Sequence, residues 1–317
     1  MSEFAQYTAK SKAPATNGDN QVGSAWGNEC NPAAFDFRSD VHTTPTMSML
    51  RAIQECSLLD DVTMEDPTTL GLEKFIAGLT GKEDALLMLS GSMGNQVALR
   101  AHLAAPPQAI VCDRRSHIIQ YEAGGVASLS QALTQPIDAK NGTYITLEEV
   151  QKHAVISDNI HACPTRVISL ENTLNGAIMP LAEVRRISAW GRENGIIMHM
   201  DGARLWEAVA AGAGTLQEFC AEMNSLALCF SKGLGAPIGS IIVGTKAFIE
   251  TAEKYGVRCR SGRFVVHYQI SEECIEACGK LFADVLTGKE GAGKKAQAPH
   301  DPEELNLKGQ VDIDCST

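Results

Sequence analysis

Short apolar runs alternate along this chain with longer stretches whose apolar residues recur every three or four positions. The runs at 85–89, 109–112, 133–137, 167–170, 196–200, 226–230 and 240–243 have the length and the bounding turn residues of buried strands. Between them the spacing predicts helices. Thr46 caps one that runs through Ile53 to Cys56, and Asp66-Pro67 opens another that Gly81 stops, with Leu70, Phe75, Ile76 and Leu79 on its inner face. Ser90-Gly91-Ser92-Met93-Gly94-Asn95 turns into a helix through His102. Thr146 with Glu149 forms a capping box at the head of a helix over 147–156. Further helices are predicted over 180–193, 203–211 and 246–254.

Strands alternating with helices imply a layered α/β domain with a mostly parallel sheet, whose ligands collect at the carboxyl ends of the strands. Residues 1–34 lack periodicity and are expected to form a disordered arm, with the large domain spanning 35–254. After Tyr255 the texture changes: a strand over 264–269 and a helix over 271–285 are predicted within a divergent segment at 255–287. Residues 288–317, rich in Lys, Gly, Pro and Asp, are expected to be a disordered tail.

Composition narrows the function. A net charge of -11 argues against nucleic acid as a partner, because no basic patch is available to neutralise phosphates. No apolar run approaches membrane-spanning length, so no membrane partner is expected, and the N-terminus has no apolar signal core. The ten cysteines are scattered without a CxxC pair, which argues against a zinc site and for a reducing, cytoplasmic setting; no metal is expected. Small metabolites remain as ligands.

Three stretches carry candidate chemistry. Lys232, between an apolar run and the glycine turn Gly233-Leu234-Gly235, and Asp201, at the end of another apolar run, are the pair that a pyridoxal phosphate (PLP) enzyme requires. The lysine amine forms the Schiff base, and the acid keeps the pyridine nitrogen protonated so that the ring accepts electrons. Ser90 to Asn95, at a strand-to-helix turn, offers unpaired backbone N–H groups to an anion such as a phosphate. His117 can stack on an aromatic ring while presenting a nitrogen that titrates near neutrality.

Taken in order, Phe37-Arg38-Ser39-Asp40, Glu65-Asp66-Pro67-Thr68, Ser90 to Asn95, His117 with Tyr121-Glu122-Ala123-Gly124-Gly125, Leu170-Glu171-Asn172-Thr173, His199-Met200-Asp201-Gly202-Ala203-Arg204 and Ser231-Lys232-Gly233-Leu234-Gly235 resemble the low-specificity threonine aldolase family of fold type I PLP enzymes. The resemblance implies Lys232 as the Schiff-base lysine, Asp201 as the partner of the pyridine nitrogen and His117 stacked on the ring. It implies Gly91, Ser92 and Met93 around the phosphate, and Arg204 near the cofactor's phenolic oxygen and the substrate. Ser39 would lie near the substrate carboxylate, and His161 would reach the substrate hydroxyl. The implied activity is cleavage of threonine or allo-threonine to glycine and an aldehyde, in a homodimer or homotetramer.

The chain departs from the family at Thr63-Met64 and at Leu174, and most of all beyond Tyr255, where the family's small domain is expected to be truncated or divergent. These departures motivate two alternatives. One is an alanine racemase-like enzyme of secondary metabolism; the other is a PLP-binding homologue with impaired catalysis.

Overall fold

The computed structural model of the chain describes residues 37–255 and Lys280. The chain divides into two compact units, Met1–Ser261 and Gly262–Thr317, and every element below belongs to the first. The predicted strand at 264–269, the helix at 271–285 and the two predicted disordered ends lie outside the described residues.

A short 3-10 turn, Asp40–His42, precedes α1 (Met47–Glu55) and α2 (Pro67–Thr80). Then come β1 (Asp84–Met88), α3 (Gly91–His102), β2 (Ala109–Asp113), α4 (His117–Gln120), α5 (Gly125–Ser128), β3 (Leu133–Ile137) and α6 (Leu147–His153). The series continues with β4 (Thr165–Glu171), α7 (Leu181–Glu193), β5 (Ile197–Asp201), α8 (Leu205–Ala210), α9 (Leu216–Glu222), β6 (Ser225–Cys229), β7 (Ser240–Gly244) and α10 (Lys246–Glu253).

The seven strands form one sheet in the order β1-β7-β6-β5-β4-β2-β3. All neighbours from β3 to β6 are parallel, while β7 is antiparallel to both β6 and β1. The carboxyl ends of β1, β2, β4, β5 and β6 therefore share one edge, as a mostly parallel sheet requires. The turn between β6 and β7 is tight, with Phe230 N–H donating to Gly239 O and Gly235 N–H to Lys232 O. Gly235 adopts φ 78°, a conformation that a side chain would strain.

Alternation along the strands sorts the core onto two faces. Ile110, Cys112, Val167, Ala227 and Ile242 pack beneath α3, α5 and α10. Val111, Ile168, Met198, Met200, Leu228 and Val243 pack against helices that include α2, α7, α8 and α9. The inner strands are buried on both faces, which explains why they look like unbroken apolar runs rather than alternating ones.

The caps follow the sequence closely. The Asp66 carboxylate accepts from Thr68 N–H and Thr69 N–H ahead of Pro67, Gly81 ends α2 in the left-handed region, and Thr146 with Glu149 forms the predicted box at α6. Two expectations fail. The buried face of α2 is Glu73, Ile76, Ala77 and Thr80, with Phe75 and Leu79 turned outward; Glu73 is held inside because its carboxylate accepts the Leu87 N–H of β1 at 2.8 Å. Helices α4, α5 and α9 are absent from the expectation, although Thr215 and Glu218 form a second capping box at the head of α9. Among the described residues no helix is long and apolar enough to cross a membrane.

Candidate active site

The site lies on the shared carboxyl edge. Asp201 closes β5 and is 5% exposed. One of its oxygens accepts from Ala203 N–H at 3.0 Å and the other from Asn95 Nδ2 at 2.7 Å. Parallel register places Glu171 of β4 directly beside it. Two carboxylates so close cannot both ionise cheaply, and burial followed by the Asp201 charge pushes Glu171 up to about 8. Its Oε2 accepts from the backbone N–H of His117 at 2.7 Å, which ties the start of α4 to the end of β4.

Beyond β2, the His117 side chain is half-buried, with Nδ1 2.8 Å from Glu122 Oε1. Facing a carboxylate, that nitrogen is the protonated one, and the bond to Glu122 raises the histidine's pKa although burial opposes it. His117, Glu122 and Asp201 offer ligand atoms within 4.8 Å of one another, a spacing that a cation could use. Here those atoms are instead joined through hydrogen bonds with one another and with Asn95.

At the head of α3, the Ser90 side chain accepts from Met93 N–H at 3.2 Å. This occupies one of the three predicted phosphate donors and leaves Gly91 and Ser92, whose N–H groups have no acceptor within the helix. A Cβ at Gly91 would stand 2.7 Å from Cys229 Sγ at the end of β6, so only glycine allows this helix to seat against the strand. Lys232 follows β6 in the turn to β7, and its carbonyl accepts from Thr43 Oγ1 at 3.3 Å. Its charge lies near enough to oppose the burial that raises Glu171 and Cys229 and to add to the lowering of Asp40.

Arg204 is engaged in a way the sequence did not foretell. Its Nε and Nη2 donate to the two oxygens of Asp40, each at 2.6 Å. Burial raises the Asp40 pKa, but the paired bonds to Arg204 outweigh it and the carboxyl is held below its usual range. Ser39 is adjacent, and its hydroxyl caps the 3-10 turn by accepting from Val41 N–H.

Lys232, Asp201, His117, Gly91, Ser92 and Met93 thus converge on one edge, with Arg204 and Ser39 linked through Asp40. His161 does not join them within this chain: it is exposed in the loop before β4, four positions ahead of Thr165, whereas Glu171 ends that strand. Ser39 and His161, unlike the other candidates, do not follow the carboxyl end of a strand. Asn95, Glu122 and Glu171 are site residues to which the sequence reading assigned no role, although each stood within a motif it singled out.

The family model described as Beta-eliminating lyase matches residues 36–279. The aldolase vrtJ of Penicillium aethiopicum is 50% identical over 261 residues, 79% of this chain and 67% of the relative. The alanine racemase TOXG of Cochliobolus carbonum is 45% identical over 71% of this chain and 58% of its own length. The low-specificity L-threonine aldolase of Candida albicans is 48% identical over 69% of this chain and 60% of its own. The chain thus spans about three fifths of the length of most of these curated relatives. A Leishmania major threonine aldolase structure, at 20% identity, superposes with a TM-score of 0.60 over 68% of this chain and 64% of that one, which establishes the shared fold. The fold is the α/β architecture of fold type I PLP enzymes, and the chain belongs to the beta-eliminating lyase family, whose cofactor is pyridoxal phosphate.

Proposed function

We propose that this protein holds pyridoxal phosphate on the carboxyl edge of its sheet and cleaves the Cα–Cβ bond of threonine or allo-threonine to give glycine and an aldehyde. The observation that carries the proposal is the convergence of Lys232, Asp201 and His117 from three different strand ends. The residues suit this cofactor chemically: a buried carboxylate for a ring nitrogen, a lysine whose charge acts on the neighbouring Glu171, and a helix head that glycine brings close to the strand. Bound there, the cofactor would supply the electron sink for the pair released when the bond breaks.

The protein's own groups supply the rest. Lys232 is the anchoring amine. Asp201, fixed by two donors, pairs with the ring nitrogen, and Gly91 and Ser92 donate to the phosphate, with Met93 beside them capped by Ser90. His117 has one nitrogen committed to Glu122 and the other open to a ligand, so it is the base that takes the hydroxyl proton; Cα then takes up a proton to give glycine. Arg204 with Ser39 orients the substrate, and His161 reaches a substrate only from outside this chain's own site. Oligomerisation into a dimer or tetramer is consistent with the exposed Leu58, Leu59 and Phe75. A cytoplasmic compartment is consistent with the free thiols among the described residues.

The test is incubation of the protein with PLP and L-threonine, with Lys232→Ala as the comparator. Glycine and acetaldehyde released by the wild type alone support the reading, and neither product from either protein rejects it. The 45% identity to an alanine racemase favours one second reading. Supplying L-alanine and finding D-alanine, with no aldehyde from threonine, would establish that reading instead.

A further inference from the structure

Asp201 is backed by a file of buried polar side chains. Asn95, His199 and Ser225 are at most 1% exposed, yet each is bonded to the next. Asn95 Nδ2 donates to Asp201 Oδ2 at 2.7 Å and to Glu122 Oε1 at 2.9 Å. An amide nitrogen has two hydrogens, so both are committed; turned over, the amide oxygen would instead confront two carboxylates. Asn95 Oδ1 therefore faces His199 Nε2, 3.3 Å away, and that nitrogen must carry the hydrogen.

Burial pushes His199 down to about 3, so the ring is neutral and has a single N–H. Its Nδ1, 2.8 Å from Ser225 Oγ, is then an acceptor, and the serine hydroxyl donates to it. Ser225 Oγ in turn accepts from His102 Nε2 at 2.7 Å, with the His102 ring stacked on Phe248 at 4.5 Å. Every hydrogen in the file points the same way, from His102 toward Asp201. The geometry of the elements makes this possible. Asn95 and His102 lie seven positions apart on one face of α3, and His199 and Asp201 lie two apart on one face of β5.

We propose that His102, Ser225, His199 and Asn95 form a positioning relay that fixes the Asp201 carboxylate toward the ring nitrogen of the cofactor; this rests on the PLP reading above. None of the first three touches the cofactor's place at the strand ends; they act through Asn95. The same bonds also fasten α3 to the sheet, a structural contribution that melting temperature reads separately.

The experiment measures PLP affinity by equilibrium dialysis, the pH titration of the visible band of the holoenzyme, and the melting temperature of the cofactor-free protein. It compares the wild type, His199→Leu, His199→Gln, Ser225→Ala and Asp201→Asn. His199→Leu is expected to weaken PLP binding up to about tenfold, the equivalent of one hydrogen bond at the upper end of the neutral range, and to move the band's titration. His199→Gln keeps a donor near the Nε2 position and is expected to restore both. Should His199→Leu not fold, Ser225→Ala serves in its place: without the serine donor His199 can adopt the other tautomer, and PLP binding should again weaken and the titration move. Wild-type affinity and titration in His199→Leu, or in Ser225→Ala where His199→Leu does not fold, overturn the relay, as do Gln and Leu variants that lose binding only in step with melting temperature. A wild type without a visible band, or an Asp201→Asn variant that binds and titrates as the wild type does, overturns the PLP reading instead.

Discussion

Arg204 and Asp40, 164 positions apart, meet through two bonds of 2.6 Å in a fork-to-carboxylate pair. The pair joins the start of the described chain to the loop that follows Asp201, so on the proposed reading the substrate side of the site depends on a segment remote in sequence. Lysine cannot reproduce the planar fork. Arg204→Lys is therefore expected to raise the KM for L-threonine about tenfold, with a smaller change in kcat. Steady-state glycine release checks this, and an unchanged KM would remove Arg204 from substrate orientation.

The raised pKa of Glu171 gives stability a definite pH slope. Its folded value of about 8 lies above its ordinary 4.5, so the folded state binds this proton more tightly. That contribution is complete below 4.5 and disappears as the pH rises toward 8. In the cofactor-free protein, Glu171→Gln is expected to flatten the decline in melting temperature across this window. A slope identical to that of the wild type would refute the assignment.

The two relay histidines act in the opposite direction. His102 is lowered to about 4 and His199 to about 3, so their contribution is present above 6.5 and lost as the pH falls through those values. His102→Gln is expected to melt at a temperature less sensitive to acid between pH 6.5 and 4, measured by circular dichroism. Equal acid sensitivity would mean that His102 titrates normally.

Gly91→Ala places a methyl group 2.7 Å from Cys229 Sγ, which is buried. Overpacking of this kind costs about 1–3 kcal/mol and would tilt the head of α3 away from β6. Loss of both melting temperature and PLP affinity is expected, with partial recovery when Cys229→Ala is added. A double variant no better than the single one would mean that the contact is not the cause.

Much of this arrangement was legible because local chemistry and tertiary packing agree. The Asp66-Pro67 start, the Gly81 stop and the Thr146 box each satisfy backbone groups that no distant residue could serve better. The inward face of α2 was not legible: Phe75 and Ile76 are adjacent and equally apolar, and the sheet edge, invisible in sequence, selects Glu73 and Ile76. The site divides in the same way. Lys232 and Asp201 are marked by the strands they follow, whereas Asn95 and Glu171 acquire their roles only when β1, β4 and β5 come together with α3.

The Glu73 carboxylate has a consequence beyond the packing of α2. It occupies an outward N–H of β1, one margin of the sheet, while at the other margin β3 contains Pro136, which has no N–H to offer. Neither border is a ready template for another strand. Among the described residues the sheet is thereby guarded against the edge-to-edge growth that leads to aggregation.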